Sequence, residues 1–397
     1  MRGLRIAAAA LTAWVSAADW GMAQDAAWPP SPAPGSVRIA VFNASLSRNG
    51  AGLAWKAIAD RDAQPLAVAE ILRRVRPDVV AVLELDHDPE GLALTALAEM
   101  LSEDGAEGLP GLDYPHRWAA PPNTGFPSGF DLDGDGEAVG PDDARGWGRF
   151  PGHYGMAVLS RLPLDEASIR TFRTQPWAAM PGNLMPPDFY PAEAEAALPL
   201  SSKSHWDVPA ALEDGRVLRL LISHPTPPVF DGPEDRNGRR NHDEIRFWVD
   251  YLSGDGWMTD DQGGQGALAP DAAFVVLGDL NADPFDGDAR REALTALLGH
   301  PRVQDPRPES PGGAAASAEQ GEANAGHGGD PAQDTADWRD SPGPGNLRVD
   351  YALPSVDWEV TGAGVFWPAP DDPLARLVEG GRRPASSDHR LVWVDIR

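Results

Sequence analysis

The sequence has no cysteine among its 397 residues, so its fold cannot be stabilised by disulfides. A chain of this length can do without them, because large domains bury a high fraction of their surface. The sequence also lacks any run of ~18 uninterrupted apolar residues, the length needed to cross a bilayer. We therefore expect no membrane-spanning helix.

Basic residues are scarce, with 33 Lys and Arg against 60 Asp and Glu and a formal net charge of −27. Proteins that bind long nucleic acids usually rely on Lys and Arg contacts to the phosphates. The acidic balance therefore favours a small phosphate ester over nucleic acid as the substrate, although divalent cations could bridge to a nucleic acid. The same charge would keep an exported protein soluble, and we expect a monomer.

The N-terminus has the pattern of an export signal. Arg2 and Arg5 precede an apolar stretch over residues 6–18, and small residues follow. Residues 21–23 fit a cleavage site, with residues 16–18 as a competing one. We expect residues 1–23 to be a signal peptide and the protein to be periplasmic or extracellular.

The beginning of the mature chain alternates between strand and helix patterns, which indicates the α/β (α+β) class. Strands are predicted over 37–43, 79–85, 156–160, 168–173, 201–208, 217–223, from 274, 347–353, 358–366 and 391–396, and helices over 64–76, 92–101, 241–251 and 289–298. Long Gly- and Pro-rich stretches near 102–152, 174–200 and 306–345 are expected to be insertions, the last of them a loop. One domain over 37–397 accounts for this pattern.

Polar residues occur where predicted strands end or begin. Asp279 and Asn281 close an apolar strand two residues apart, so both side chains project from the same face. Asp388 and His389 directly precede the last strand. Carboxylate, amide and imidazole groups are those needed to bind a hard cation and move protons at a phosphate, which predicts a metal-dependent phosphoesterase.

Asn43, Glu84 and His224 share this placement, and Asp350 is a further charge within a predicted strand. A structural explanation fits Asp350, because Arg348 could pair with it. It fits Glu84 poorly, because five apolar residues precede it and burying an unpaired charge costs several kcal/mol.

The ordered set of motifs resembles the endonuclease/exonuclease/phosphatase superfamily over residues 37–397. The matching pieces are Phe42-Asn43, Leu83-Glu84, Gly155–Arg161, Ser223-His224, Gly278–Asn281, Arg348–Asp350 and Ser387–His389. The resemblance implies a four-layer sandwich, in which two packed mixed β-sheets are flanked by helices and the active site lies at their rim.

The resemblance also implies a metal site. Glu84 would be the main Mg²⁺ ligand, assisted by Asn43 and Asp388, with Mn²⁺ or Ca²⁺ as alternatives. Mg²⁺ needs few direct carboxylates and keeps water and substrate oxygens in its shell. The chain has Leu83 where the family usually has Gln before the metal-binding Glu.

Catalytic roles follow from the same resemblance. His389, oriented by Asp350, would act on the attacking water or steady the phosphoryl oxygens. Asp279 would position or deprotonate that water, and Asn281 would hold a phosphate oxygen. His224 would stabilise charge on the phosphate or protonate the leaving group.

A second cation site is suggested by Asp131-Leu-Asp-Gly-Asp-Gly136, which resembles the start of a calcium-binding loop. Its ligands would be Asp131, Asp133, Asp135 and, at the twelfth position, Asp142. Gly129 and Pro141 leave no clear flanking helices, so a solvated acidic loop remains the alternative to structural Ca²⁺.

Substrate contacts are expected from residues outside these motifs. Lys203 and His205 alternate on a predicted strand, Arg239 and Arg240 belong to a basic cluster over 235–242, and Tyr154 precedes a strand. Each has an ordinary structural explanation as well, as a strand face, a helix start or a packed aromatic.

We therefore interpret the chain as an exported metal-dependent phosphoesterase that hydrolyses small phosphomonoesters or phosphodiesters with an activated water. A secreted nonspecific nuclease with the same site is one alternative. A catalytically inactive, calcium-stabilised binding protein on the same scaffold is the other.

Overall fold

Two large β-sheets and seven α-helices make up the part of the chain that a computed structural model describes, residues 28–379 and 384–397. The predicted signal peptide lies outside the described residues. Residues 32–397 form one compact unit, and an N-terminal unit ends at Ser31. Within the described ranges, every helix is too short or too polar to cross a bilayer.

The strands are β1 (Val37–Asn43), β2 (Val79–Leu83), β3 (His116–Trp118), β4 (Met156–Ser160), β5 (Arg170–Thr171), β6 (His205–Ala211), β7 (Val217–Ser223), β8 (Phe274–Asp279), β9 (Ala336–Asp337), β10 (Asn346–Leu347), β11 (Asp350–Pro354), β12 (Val360–Val365) and β13 (Val392–Ile396). The helices are α1 (Leu53–Ala59), α2 (Ala63–Val75), α3 (Leu92–Ser102), α4 (Ala192–Ala197), α5 (Arg236–Ser253), α6 (Arg291–Leu298) and α7 (Pro311–Gln320).

The first sheet has the strand order β12-β13-β1-β2-β4-β3, and the second has β11-β8-β7-β6-β5. Each contains one parallel pair joined through helices: β1 with β2 through α1 and α2, and β7 with β8 through α5. Strand β1 contacts β8 and β11 of the other sheet, and β2 contacts β8. The predicted α/β sandwich with two mixed sheets is confirmed.

The parallel pairs explain why distant polar residues meet. Parallel strands end at the same edge of a sheet, and Asn43 lies beside Leu83, directly before Glu84. In the second sheet β11 runs antiparallel to β8, which sets Asp350 opposite Asp279. One rim of the sandwich therefore collects the polar ends of several strands.

The second sheet is covered by α5 and α6 through a core of aromatic and aliphatic side chains. Phe247, Trp248 and Tyr251 of α5 are fully buried and belong to one cluster with Leu221 and Val276 of the sheet. Their spacing of three and four residues keeps them on one helix face. The packing of α5 and α6 on the second sheet fixes the strands whose ends carry the polar residues.

Several predicted elements differ from the structure. The strand predicted from residue 201 begins only at His205, because Asn123 takes the carbonyls of Ser201 and Lys203 as hydrogen-bond acceptors. The strand over 168–173 is reduced to β5, and β2 ends at Leu83 rather than at residue 85. Helix α1 was not predicted.

The segment 306–345 was expected to be a loop, but it contains α7 and β9. Pro311 occupies the first turn of α7, and the Ser310 hydroxyl accepts a hydrogen bond from the Gly313 backbone. A favourable start thus lets a Gly- and Ala-rich sequence form a helix.

A buried ion pair joins the first and last strands of the first sheet. The Arg38 guanidinium donates to both carboxylate oxygens of Asp395, at 2.7 and 2.8 Å, and also to the Val75 carbonyl at the end of α2. Removing one partner of such a pair leaves an uncompensated buried charge.

We predict that Asp395→Ala destabilises the protein by about 3–5 kcal/mol, because Arg38 then loses its buried carboxylate. Urea unfolding measures this change. The double variant Arg38→Met/Asp395→Leu should recover most of the loss. As a control, Glu359→Ala removes an exposed pair with Arg397 and should cost under about 1 kcal/mol. Equal costs for Asp395→Ala and Glu359→Ala would contradict the prediction.

Candidate active site

Asn43 connects the two sheets at the rim. Its side-chain amide donates to Asp279 Oδ2 at 3.0 Å and lies 3.4 Å from Glu84 Oε1. Its backbone carbonyl accepts from the Ser387 hydroxyl at 2.7 Å, which holds the segment before β13 against β1. The end of β1 thus places residues from three parts of the chain in one cluster.

Two imidazoles converge on the Asp279 carboxylate. His224 Nε2 lies 3.3 Å from Asp279 Oδ2, and His389 Nε2 lies 3.7 Å from the same oxygen. His224 directly follows β7, so the parallel pairing of β7 with β8 brings it beside Asp279. All three side chains are buried.

Asp350 orients His389 from the other side. Its Oδ2 accepts from His389 Nδ1 at 2.9 Å and from the Thr335 hydroxyl at 2.8 Å. The suggested pair with Arg348 does not form, because Arg348 binds Asp305 at 2.5 and 2.8 Å instead. The Asp350 carboxylate is therefore hydrogen-bonded to His389 rather than paired with Arg348.

Glu84 and Asn281 have left-handed backbone conformations, with φ of 57° and 50°. Such values are uncommon for residues other than glycine and are found where the surrounding structure enforces them. Glu84 directly follows β2, and Asn281 is the second residue after β8, so both lie where the chain turns away from a sheet. The turn directs the side chains along the rim rather than into the sheet.

Asn281 stabilises the neighbouring loop. Its side-chain amide donates to the Pro225 carbonyl at 3.1 Å, and its backbone N–H donates to Asp279 Oδ1 at 2.9 Å. One of its amide hydrogens is therefore already used by the protein. This placement holds the loop after His224 against β8.

The pKa values of Glu84 and Asp279 are shifted in opposite directions. Burial and the nearby Asp388 carboxylate raise the pKa of Glu84 to about 7. Burial alone would also raise the pKa of Asp279, but the positive charge of His389 and the hydrogen bond from His224 lower it below its ordinary value. Asp279 is thus ionised at neutral pH, whereas Glu84 is poised to exchange a proton.

The pKa values of His389 and His224 are also shifted in opposite directions. Burial disfavours a charge on both, but the carboxylates of Asp350 and Asp279 raise the pKa of His389 well above its ordinary value. Burial and the charge of Lys203 lower the pKa of His224 to about 4. His389 is therefore an imidazolium at neutral pH and His224 a neutral imidazole.

A cavity of about 610 Å³ opens beside this cluster, and we call it the side cavity. Glu84, His224, Lys203 and Tyr154 lie on its inner wall. Lys203 is only 6% exposed, and its Nζ lies 3.5 Å from the Pro225 carbonyl. Burial lowers the pKa of Lys203, although Glu244 and Glu84 oppose that effect.

The expectation that His205 contacts substrate is wrong. Its ring is fully buried between Ser201 and the Glu244 carbonyl, at 2.5 and 2.8 Å, and packs on Phe247 and Trp248. His205 is the first residue of β6, and its side chain is packed in the core.

The basic cluster over 235–242 is the start of α5, and its cations are used by the protein. Arg239 lies outside the side cavity and donates to the carbonyls of Glu234 and Leu184. Arg240 lines the cavity, but its guanidinium donates to the carbonyls of Arg145, Pro199 and Leu200.

The acidic loop differs from the predicted calcium site. The carboxylates that come within 4.8 Å of one another are those of Asp131, Asp133 and Asp143, so Asp135 and Asp142 are not in the group. Asp142 instead lies at the side cavity, while Asp143 is buried and accepts from the Leu132 backbone at 2.7 Å. Between α3 and β4 the chain contains strand β3 and one short 3₁₀ turn but no α-helix, so flanking helices are absent there.

Sequence reasoning missed two residues that complete the site. Thr335 holds Asp350, and the Trp338 ring contacts His389 edge-on at a centroid distance of 5.4 Å. The Trp338 indole N–H also donates to Asp388 at 3.2 Å. Both come from the segment expected to be a loop, and no local pattern distinguishes them from surface residues.

The arrangement is suited to a divalent cation. Burial and the Asp388 carboxylate raise the pKa of Glu84, and a cation held by both carboxylates would remove the repulsion between them. The Asn43 amide group lies beside Glu84, with its nitrogen 3.4 Å from Glu84 Oε1 and its oxygen 3.3 Å from the Ser45 backbone nitrogen. Asp279, Asp350 and His389 also lie within 4.8 Å of one another, but Asp350 and His389 are hydrogen-bonded together, which favours proton handling over ligation.

Comparison with known proteins agrees with this geometry. The profile of the endonuclease/exonuclease/phosphatase family matches residues 56–389. No curated protein matches the chain.

The chain is similar to several solved structures of this superfamily. A protein of this family from Beutenbergia cavernae DSM 12333 is 17% identical, with a TM-score of 0.50 over 91% of this chain and 71% of that one. A family member from Leptotrichia buccalis C-1013-b is 13% identical, with a TM-score of 0.47 over 91% and 99%. Sphingomyelinase C from Streptomyces griseocarneus is 14% identical, with a TM-score of 0.45 over 91% and 99%. By its profile match, the chain belongs to the endonuclease/exonuclease/phosphatase family, whose members generally hydrolyse phosphoester bonds.

Proposed function

We propose that the protein is an exported, metal-dependent phosphoesterase that hydrolyses small phosphate esters by attack of a water molecule. The observation that carries this proposal is the continuous cluster at the rim: Asp350 contacts His389, both histidines face Asp279, and Asn43 links Asp279 to Glu84. Export rests on the sequence pattern of residues 1–23 alone.

The metal would be held by Glu84 and Asp388, with the Asn43 amide oxygen. Mg²⁺ prefers oxygen ligands of this kind, and Mn²⁺ or Ca²⁺ could take its place. When bound, the cation would neutralise charge on the phosphate. Because Glu84 must lose its proton to bind, ligation is coupled to pH.

Asp279 and His389 supply complementary charges. The ionised Asp279 carboxylate accepts a hydrogen bond and would orient the attacking water. The His389 imidazolium, held by Asp350, would donate to a phosphoryl oxygen as negative charge develops there. Its raised pKa favours this role over that of a base.

His224 and Lys203 act beside them. The neutral His224 donates from Nε2 to Asp279 and so fixes the carboxylate, and its low pKa disfavours a role as an imidazolium acid. Lys203 carries a buried ammonium group on the wall next to Glu84 and would attract the phosphate. Asn281 would act mainly through the loop that it holds.

The structure gives less support to a nuclease. A nuclease would need free cations to bind phosphates. The basic residues at the start of α5 are already engaged, since Arg239 and Arg240 bind backbone carbonyls and Arg236 pairs with Glu234. The net charge of −27 adds a general repulsion of polyanions. Turnover of a small chromogenic phosphodiester and of plasmid DNA, each at low and high salt, compares the two functions directly.

We predict that Glu84→Ala and His389→Ala each lower phosphoester hydrolysis by about 10²–10⁴-fold, because one removes a metal ligand and the other the phosphate-binding imidazolium. Steady-state kinetics with excess Mg²⁺ measure the loss. Glu166→Ala and His116→Ala, both outside the cluster, serve as matched controls. Near wild-type rates in either site variant, with circular dichroism showing a folded protein, would refute its assigned role. If no ester is turned over by the wild type with Mg²⁺, Mn²⁺ or Ca²⁺, the protein is an inactive binding protein.

A pH-dependent stability change follows from Glu84. Its pKa is about 7 in the folded protein against 4.5 ordinarily, so ionisation of Glu84 costs stability progressively as pH rises from about 4.5 to 7. In metal-free buffer, Glu84→Gln should therefore be more stable than wild type by roughly 1–3 kcal/mol at pH 8, with the difference nearly lost at pH 5. Unfolding midpoints in a chelator measure this. Excess Mg²⁺ should stabilise the wild type more than the variant. A difference independent of pH would contradict the assignment.

A further inference from the structure

We propose that the side cavity binds an apolar group of the substrate, so that the enzyme acts on esters joining one phosphate to an alkyl or aryl group. This inference rests on the proposed function and specifies its substrate class. It concerns the surface next to the reacting groups rather than the groups themselves.

The first argument is position. Glu84, His224 and Lys203 belong both to the catalytic cluster and to the cavity wall, so a phosphate at the cluster would have its substituent directed into the cavity or past it. A volume of about 610 Å³ can enclose a group much larger than a phosphate. Binding sites for small molecules typically fall in the range of about 300–1,000 Å³.

The second argument is the chemistry of the walls. The side chains farther from the cluster are mostly aromatic or aliphatic, and they include Trp147, Trp177, Tyr190, Leu198, Val229 and Phe230. They come from the stretches near 102–152 and 174–200 and from the loop after His224. The parts of the chain that interrupt the regular fold therefore build the apolar surface.

The third argument is that polar groups on the walls are largely paired with the protein, although the buried Thr226 hydroxyl and His224 Nδ1 have no hydrogen-bond partner. The Ser202 hydroxyl donates to Glu244 at 2.9 Å, the Asn237 amide donates to the Val229 carbonyl at 2.7 Å, and the Trp177 indole donates to Asp243 at 2.7 Å. The Arg240 guanidinium is bound by three carbonyls. A sugar or nucleobase would lose hydration there with few free partners, whereas an apolar group would not.

The mouth of the cavity supports the same assignment. Phe230 is 88% exposed and Trp147 is 44% exposed, which leaves apolar surface facing solvent next to the opening. The carboxylates of Asp133 and Asp142 also line the cavity and would repel a second phosphate. The ligand is therefore expected to carry its negative charge only at the reacting phosphate.

The test uses alkyl methyl phosphodiesters whose alkyl chain is lengthened from methyl to octyl, together with the benzyl methyl diester and the matching alkyl monophosphates. In each series the lengthened group is the main apolar group, and the released alcohol is quantified by mass spectrometry. We expect kcat/KM to rise about two- to fourfold for each added methylene until the cavity is filled. The benzyl ester tests whether an aryl group is preferred to a chain of similar size.

Variants connect this preference to the cavity. Val229→Asp places a charge in the apolar wall, and Trp147→Ser removes an exposed aromatic, so each should lower the ratio of octyl to methyl kcat/KM at least tenfold. Val356→Asp is the matched control, because Val356 is 55% exposed, follows β11 at the end opposite to Asp350, and does not line the cavity. It should keep the wild-type ratio.

Each result has a definite meaning. Hydrolysis of the esters without any dependence on chain length overturns the inference and leaves the proposed function standing. A chain-length dependence that survives both wall variants also overturns it, because the apolar group then binds elsewhere. Hydrolysis of no ester in either series overturns the proposed function.

A binding measurement on the wild type tests the inference without depending on the folding of any variant. Trp147 and Trp177 line the cavity, so octyl methylphosphonate should change the tryptophan emission and bind at least tenfold more tightly than ethyl methylphosphonate. Equal affinity for the two phosphonates would overturn the inference.

Discussion

The hydrogen bond between the Asn43 amide and Asp279 is the contact on which the site depends, because it joins the ends of two different sheets. Each sheet alone brings its own parallel strand ends together, but neither contains a complete set of groups for hydrolysis. The face-to-face packing of β1 and β2 with β8 and β11 supplies the rest. Folding of the whole sandwich is therefore a condition for chemistry at its rim.

The rim concentrates charge in a way that an apolar core would not tolerate. Three carboxylates and two imidazoles are buried or nearly so, and each carboxylate has a different environment: a hydrogen bond to His389 at Asp350, two imidazoles at Asp279, and a like charge at Glu84. The pKa values of Glu84 and Asp350 are both raised by burial, and at Glu84 the charges of His389 and Lys203 offset burial and the Asp388 charge only in part. The apo fold thus carries a local destabilisation that a cation would relieve, as expected where groups are arranged for function rather than stability.

Much of this could be predicted from the sequence, because strand-end polarity is a local pattern. Asn43, Glu84, His224, Asp279 and Asp350 were identified in this way, and the structure brings them together. The partner of Asp350 could not be predicted from local sequence alone, since Arg348 is two residues away whereas His389 is 39 residues away, and only the family resemblance paired Asp350 with His389. His205 was misassigned because alternation alone cannot tell which sheet face is buried. Thr335 and Trp338 were missed because their role depends on contacts with distant residues.

The segment around Thr335 and Trp338 has a consequence for how this protein can change over time. Its backbone pairs with the residues flanking His389, and its side chains fix Asp350 and touch the imidazole. Insertions or deletions would be tolerated in the part of this segment that is remote from His389. A shift of one residue at Thr335 or Trp338 would misalign the histidine. Descendants of this sequence should therefore vary in loop length only on the side remote from position 335.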